Sequence, residues 1–244
     1  MTSRRLNTSR RNFLQATAAA ALAGNLPFAA FAQSGTKYKI GIIGSGKVGG
    51  AIGGAWVKAG HEVMFSSLDL EADKKLAASL GGKASAGTTR EAATFGTVLL
   101  LSVPYAAVPG IAKDVGGLFK GKIVIDTSNP IVARDGEVGA AAREKGAGLA
   151  TSEYFPGARI VRAFNAIGFA KMAVAASAST RVGMPIAGDD AGAIEIASGL
   201  VREVGYEPVL VGTLAAMGKY LIPGTPLGGE HSPDEIRKIA ATLK

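Results

Sequence analysis

The stretch KYKIGIIGSGKVGGAIGGAWVKAGHEVMFSS, residues 37–67, contains the pattern of a strand, a tight turn, a helix and a second strand. Residues 38–43 are mostly apolar and unbroken, which is typical of a strand buried in a parallel sheet. Residues 47–59 predict a helix that ends at Gly60, and residues 63–65 predict the second strand. A strand, a helix and a second strand in this order predict a βαβ unit.

Strands and helices continue to alternate on the carboxyl side of this stretch. The apolar runs TVLLLSVP, residues 97–104, and KIVIDTSNP, residues 122–130, predict two more buried strands. Further strand patterns follow in ARIVRAFN, MPIAGDD and YEPVLVG, with helical patterns between them. We therefore expect an α/β protein with a Rossmann-type doubly wound parallel sheet and a small C-terminal α/β appendage.

The turn after the first strand has the pattern G-x-G-x-x-G, formed by Gly44, Ser45, Gly46, Lys47, Val48 and Gly49. Its place between a predicted strand and a predicted helix gives this otherwise weak pattern its meaning. Gly44 permits a tight turn, Gly46 lets a pyrophosphate approach the helix N-terminus, and Gly49 lets helix and strand pack closely. The motif predicts a dinucleotide site; the alternative is that the glycines only cap and pack the helix.

The end of the second strand bears on which dinucleotide binds. A site for NAD usually places Asp or Glu about 20 residues after the glycine loop, where it holds the ribose 2′-hydroxyl. Here Ser66 stands twenty residues past Gly46 and is followed by Ser67. Two hydroxyls can donate hydrogen bonds to a 2′-phosphate that an acid would repel, so the sequence favours NADP, with NAD as the alternative.

The amino-terminal segment has the three parts of an export signal. Residues 1–15 contain four arginines and no acid, and residues 16–32 are uncharged and end in the cleavage pattern Ala30-Phe31-Ala32. The run SRRNFL, residues 9–14, resembles a twin-arginine (Tat) signal, although Gln15 stands where that signal often has Lys. We expect the Tat export machinery to deliver the folded protein to the periplasm; the alternatives are an ordinary secretory signal and an uncleaved anchor.

The composition excludes several classes of chemistry. The chain has no cysteine, which excludes disulfides, thiolate catalysis and cysteine-bound metals, and its two histidines make a triad or a poly-histidine metal site improbable. Four of the 27 basic residues and none of the 19 acidic ones fall in the first 32 residues, so the remainder carries a charge of +4. Without a dense basic run, this charge does not indicate nucleic-acid binding.

Five runs of the chain resemble the deazaflavin (coenzyme F-420)-dependent NADP oxidoreductase family, in order and spacing, from about Lys37 to Leu221. They are GIIGSGKVGGAIGGAWVKAGHEVMFSS, VLLLSVPYAAV, IVIDTSNP, VRAFNAIG and PIAGDD. The resemblance implies that the glycine loop and the serine after strand two bind NADP. It also implies that the loop after strand four lines the adenosine side, while the loop after strand five and the Ala-Phe-Asn segment approach the nicotinamide. The residues with these roles are Ser45, Gly46, Lys47 and Val48, then Ser66 and Ser67, then Val103 and Pro104, and lastly Ser128, Asn129, Pro130 and Asn165.

One position departs from the family pattern. The family commonly has Arg directly after the strand-two serine, where it pairs with the 2′-phosphate, and this chain has Leu68. A charged Arg–phosphate contact is among the stronger hydrogen bonds, so its loss puts a tight preference for NADP in doubt. Lys74 or Lys75 could replace it in part, or could simply lie on a solvated helix face.

The implied reaction is hydride transfer between the nicotinamide and a deazaflavin or flavin acceptor, which needs stacked rings and excluded water but no protein-held acid. We expect Asn129 and Asn165 to orient the nicotinamide or its ribose; a turn signal and a helix cap are the alternatives. The catalytic residues and the acceptor stay undetermined. Alternatives are an exported ferric, flavin or quinone reductase and a non-catalytic NADP-binding protein. A hydroxy-acid dehydrogenase is disfavoured, because it would need a Lys or His positioned as a base and a larger helical domain.

The expected organisation is a signal peptide at residues 1–32, a dinucleotide-binding Rossmann domain at 37–165, and a small substrate or oligomerisation subdomain at 166–244. Expected partners are the export machinery and a small-molecule redox acceptor, and no metal is expected. A homodimer is an alternative to a monomer that the sequence leaves open.

Overall fold

The computed structural model describes residues 36–172 and 181–243. The predicted signal peptide at residues 1–32, with its arginine pair and cleavage pattern, lies outside the described residues. From Lys37 onward the chain forms one compact unit.

The unit is built on one eight-stranded sheet with the strand order β3-β2-β1-β4-β5-β6-β7-β8. The strands are β1 (Lys39–Ile43), β2 (Glu62–Ser66), β3 (Ala84–Ala86), β4 (Val98–Leu101), β5 (Ile123–Asp126), β6 (Arg159–Arg162), β7 (Gly183–Gly188) and β8 (Glu207–Gly212). The first six strands pair in parallel. This arrangement confirms the predicted Rossmann-type sheet.

Ten α-helices of the described residues join or follow the strands. They are α1 (Lys47–Ala59), α2 (Leu70–Leu80), α3 (Thr89–Phe95), α4 (Val108–Val115), α5 (Val132–Lys145), α6 (Ala147–Tyr154), α7 (Phe169–Met172), α8 (Ala191–Val204), α9 (Leu214–Met217) and α10 (Pro233–Thr242). No helix within residues 36–172 and 181–243 is long and apolar enough to cross a membrane.

The last two strands differ from the parallel arrangement expected from the sequence. β7 runs antiparallel to β6 and parallel to β8, so these two strands point opposite to the other six. The pairing of β6 with β7 is short, joining Val161 to Gly188 and Arg162 to Ala187. The segment expected as an appendage therefore extends the main sheet, and the proposed division at residue 165 falls between β6 and β7.

The sheet is buried on both faces, which explains its unbroken apolar strands. Successive side chains of β4 alternate between two clusters: Leu100 packs in one with Trp56 of α1, and Leu99 packs in the other with Phe119. Alternation with a period of two is the geometry of a strand, so one apolar run supplies both layers of core.

Local features set the bounds of several helices. Asp69 accepts from the Ala72 N–H over 3.0 Å at the start of α2. α5 contains a non-helical Gly136 and is followed by α6. The apolar face of α10 buries Ile236.

Candidate functional site

The candidate site lies at the carboxyl ends of the parallel strands. β1 lies between β2 and β4, so the chain leaves the sheet in opposite directions on its two sides. Such a switch point opens a crevice outside the strand ends, where open α/β sheets bind ligands. Every predicted site residue lies in the glycine loop, in the first turn of α1, or in a segment that begins where β2, β4, β5 or β6 ends.

The first and third glycines of the loop are required by close packing. Gly44 has φ +97, in the left-handed region that favours glycine, and a Cβ there would lie 2.3 Å from the Ser102 carbonyl oxygen. A Cβ at Gly49 would lie 2.1 Å from the Gly44 carbonyl oxygen. The loop is also tied to β2, because the N–H groups of Gly44 and Ser45 both donate to the Ser66 carbonyl, over 2.9 and 3.0 Å.

Gly46 is different, because a Cβ built there would have no protein atom within 4 Å. It is the N-cap of α1 and has an ordinary φ of −62°, so neither packing nor backbone strain demands glycine. The space in front of it adjoins the first backbone N–H groups of a 13-residue helix, which have no partner within the helix. The loop therefore fits the pyrophosphate of a dinucleotide, which needs this space and these donors.

The two serines after β2 make contacts that the sequence did not predict. Ser66 is buried and donates its hydroxyl proton to the Ile42 carbonyl over 2.6 Å. Ser67 donates to Asp73 Oδ2 over 2.9 Å, and Ser45 of the glycine loop donates to Asp73 Oδ1. Asp73 itself is 2% exposed. Without a ligand, the hydroxyl protons of Ser66 and Ser67 are therefore directed at protein acceptors.

The neighbouring candidates for a contact with a 2′-phosphate are all exposed, Lys75 on α2 among them. Leu68 is fully exposed. Lys74 lies 2.8 Å from Glu71 on an exposed face of α2, which agrees with the solvated reading of that lysine.

The loop after β4 packs against the glycine loop. A Cβ at Gly44 would lie 2.7 Å from Val103 Cγ1, so this half-buried valine is in close contact with the turn. Pro104 is exposed and precedes a 3-10 turn, Tyr105–Ala107. These two residues therefore lie beside the glycine loop, in the segment that the family resemblance assigns to the adenosine side.

The loops after β5 and β6 meet through their asparagines. Asn129 Nδ2 donates to the Asn165 carbonyl over 2.8 Å, and Asn165 Nδ2 donates to Asn129 Oδ1 over 3.4 Å. Within the described part of the chain, the buried Asn165 Oδ1 has no hydrogen-bond partner. Ser128 and Pro130 are buried on either side of Asn129. An unpaired buried acceptor is costly, and an amide donor of a ligand would satisfy it.

The backbone before Asn165 adopts an unusual conformation. Phe164 has φ +65, a region that bulky residues rarely occupy. Its ring is buried edge-on against Trp56 and Tyr206, with centroid distances of 6.3 Å to each. Packing of the ring thus holds the turn that presents Asn165, and sequence patterns gave no sign of it.

A buried ion pair underlies the two asparagines. Arg162 Nη1 lies 2.7 Å from Asp126 Oδ2, and neither side chain is exposed. The same guanidinium donates to the Ser128 carbonyl over 3.0 Å and to Asn129 Oδ1 over 3.2 Å. The sequence held a signal for this pair, because a charged residue ends each of the two neighbouring strands, IVID and RIVR.

Asp126 also accepts from Thr151 over 3.0 Å, and Tyr105 lies 3.1 Å from that threonine oxygen. Because Thr151 gives its proton to Asp126, the Tyr105 hydroxyl is the donor in any bond between the two, and the Ala147 carbonyl is its other acceptor, over 3.3 Å. Burial, together with the nearby charge of Asp126, raises the pKa of Tyr105 well above its ordinary value. Tyr105 therefore keeps its hydroxyl proton and remains a hydrogen-bond donor in this network.

Two other features of the described residues lie outside this site. A cavity of about 410 Å³ is lined by Tyr38, Glu62 and Lys83, at the amino-terminal ends of the strands. Within the described part of the chain, no three His, Cys, Asp or Glu residues are grouped to hold a metal ion.

Comparison with known proteins agrees with these observations. Residues 39–130 match the family model described as NADP oxidoreductase, coenzyme F420-dependent. Residues 7–27 match the signal sequence of the twin-arginine translocation pathway. A search of the curated proteins found no match.

Solved structures show the same fold. A hypothetical protein from Sinorhizobium meliloti is similar over 83% of this chain and 98% of its own, with 27% identity and a TM-score of 0.69. A protein from Arthrobacter sp. FB24, described as an F420-dependent NADP reductase, is similar over 75% and 90%, with 18% identity and a TM-score of 0.63. A pyrroline-5-carboxylate reductase from Coxiella burnetii is similar over 72% and 60%, with 14% identity and a TM-score of 0.54.

The family match confirms the resemblance drawn from the glycine loop and the strand runs, and the signal match confirms the interpretation of the arginine pair. The chain thus carries a match to a twin-arginine export signal, followed by a segment that matches the coenzyme F420-dependent NADP oxidoreductase model, and it is an NAD(P)H-dependent oxidoreductase.

Proposed function

We propose that this protein transfers a hydride between the nicotinamide of NAD(P)H and a small redox acceptor of the deazaflavin or flavin type in the periplasm. The observation that carries the proposal is the open space in front of Gly46 at the start of α1. A glycine that packing does not require is explained by a ligand that approaches the backbone.

The nicotinamide side of the proposal rests on the asparagine pair. Asn165 Oδ1 is buried and has no partner among the described residues, and a carboxamide N–H is a donor that would complete it. Arg162 donates a hydrogen bond to Asn129 Oδ1, and Asn129 Nδ2 donates one to the Asn165 carbonyl. The two asparagines are therefore fixed in position without a ligand. For hydride transfer the main task of the protein is to orient the nicotinamide, because the cofactor itself supplies the reacting group.

The acceptor side is supported by exposed apolar residues on the segments that follow the two asparagine loops. Ile131, Val132 and Phe169 are each more than two-fifths exposed, and Lys47 Nζ of the glycine loop lies 4.9 Å from the Phe169 ring centroid. A flat aromatic acceptor could cover such side chains. In the reaction, the hydride carries two electrons from the dihydronicotinamide to the acceptor, which takes up a proton from solvent where its reduced form requires one.

The family name supports NADP as the dinucleotide and a deazaflavin as the acceptor. The export signal favours a second candidate, a ferric, flavin or quinone reductase, because an exported protein meets the acceptors of the envelope. A non-catalytic dinucleotide-binding protein is the third reading, and the missing arginine at position 68 is the observation in its favour.

The test is oxidation of NADH and NADPH by the purified exported protein against a panel of deazaflavin, flavin, quinone and ferric acceptors. Dinucleotide deuterated at C4 should pass deuterium to a deazaflavin acceptor. Calorimetric binding of a dinucleotide without turnover of any acceptor would favour the non-catalytic reading. Failure to bind either dinucleotide would overturn the proposal.

A further inference from the structure

We infer that Asp73 is the specificity-determining residue of the dinucleotide site, and that it makes the site prefer NAD(H) over NADP(H). The inference rests on the proposed function, because it concerns the same site. It departs from the preference for NADP that the serines after β2 predict.

The first step is the direction of the hydrogen bonds around Asp73. A carboxylate is only an acceptor, so a serine that bonds to it must donate its single hydroxyl proton. Ser67 does so at Oδ2 over 2.9 Å, and Ser45 does so at Oδ1. Asp73 thus accepts hydrogen bonds from a hydroxyl of the glycine loop, on Ser45, and from a hydroxyl of the loop after β2, on Ser67.

The second step is what these serines then offer to a ligand. Ser67 Oγ also accepts from the Asp69 N–H over 3.1 Å, which leaves it with acceptor capacity only. An acceptor suits the ribose 2′-hydroxyl of NAD, which can donate a proton. It opposes a 2′-phosphate, whose oxygens have no proton to give when fully ionised and meet like charge instead.

The third step is the charge around this position. The Asp73 side chain is almost completely buried between the glycine loop and the end of β2, the region where an acid selects the ribose 2′-hydroxyl in this class of fold. Leu68 brings no charge, Lys74 is paired with Glu71, and Lys75 is an exposed side chain of the same helix, unlike the buried Asp73. Asp73 therefore takes the role of the missing acid from the following helix, through two serines rather than by direct contact.

The experiment measures the dissociation constants of NADH and NADPH by calorimetry at fixed salt, in the parent and in Asp73→Asn. We expect the parent to bind NADH at least about tenfold more tightly. Asp73→Asn keeps the shape but removes the charge and replaces one acceptor oxygen by an N–H donor, which frees one serine proton, so the ratio should move toward NADPH by about tenfold.

A charge control and a substitute variant separate this effect from a general change of electrostatic potential and from a loss of folding. Glu144→Gln removes the same charge from an exposed position on α5 and should leave the ratio nearly unchanged. If Asp73→Asn does not fold by circular dichroism, Ser67→Ala replaces it, since losing the accepting oxygen should weaken NADH binding without weakening NADPH binding.

The outcomes distinguish the inference from the function on which it rests. A parent that binds NADPH more tightly, or a ratio that neither Asp73→Asn nor Ser67→Ala moves, overturns the role of Asp73 and leaves the proposed function standing. An equal shift in Glu144→Gln also overturns it. A folded parent that binds neither dinucleotide overturns both.

Discussion

Arg162 Nη1 and Asp126 Oδ2 lie 2.7 Å apart, with both side chains fully buried, where the adjacent strands β5 and β6 end. The pair joins two segments 36 residues apart in the chain and reaches Asn129 through the second guanidinium nitrogen. It therefore couples the stability of the sheet to the position of the asparagines that border the proposed nicotinamide site.

Arg162→Met should lower the free energy of unfolding by about 3–5 kcal/mol, because it leaves the Asp126 carboxylate buried without its counter-charge. Urea unfolding followed by circular dichroism measures the change. Arg159→Met on the same strand is the matched control. Its partner Asp190 is exposed, so the loss should stay below about 1 kcal/mol. Equal losses in the two variants would contradict a special role for the buried pair.

Gly46→Val should abolish binding of NADH and NADPH while leaving a folded protein. A Cβ at this position has no protein atom within 4 Å, and the added side chain would occupy the space that the pyrophosphate needs. Calorimetry measures binding, and thermal unfolding reports the fold. A variant that binds dinucleotide as the parent does would show that this glycine serves only the local backbone.

Gly49→Ala, in contrast to Gly46→Val, should lower the stability of the protein. A Cβ there would lie 2.1 Å from the Gly44 carbonyl oxygen, so the loop and α1 must move apart. Overpacking of this kind costs about 1–3 kcal/mol of stability, which urea unfolding would detect. An unchanged unfolding midpoint would mean that the loop relaxes freely and that the contact with Gly44 is not required.

Leu68→Arg should tighten NADPH relative to NADH by about 1–3 kcal/mol, the usual value of a hydrogen bond to a charged group. Leu68 is fully exposed, so an arginine there replaces no packing contact. The measurement is the ratio of the two dissociation constants at fixed salt, because exposed charges are screened. Leu210→Arg, at an exposed position on β8, controls for net charge. No difference between the variants would mean that position 68 does not face the 2′-phosphate.

Replacing Arg10 and Arg11 by Lys should prevent delivery to the periplasm, because the arginine pair is what marks the twin-arginine signal. Cell fractionation with detection of the protein measures the change. Periplasmic protein at the parent level would contradict the twin-arginine route, though it would leave export by another route open.

Local sequence patterns determined the export signal, the βαβ unit and the glycine loop. These features depend on residues close together in the chain: an apolar run makes a buried strand, and three glycines at fixed spacing make a turn that a ligand can approach. The N-caps of α2 and α8 are local in the same way, because in each an aspartate accepts from a backbone N–H three residues further along the chain.

Tertiary structure alone decided the partners of Asp73, the closure of Asn129 onto Asn165, and the reversed direction of β7. Ser45 and Asp73 are 28 residues apart, and Asn129 and Asn165 are 36 apart, so no local pattern pairs them. They meet because the strand order places β1 beside β2 and β5 beside β6, which aligns the loops at one edge of the sheet. Which hydroxyls remain free to bind a ligand follows from that alignment, because each has only one proton to donate.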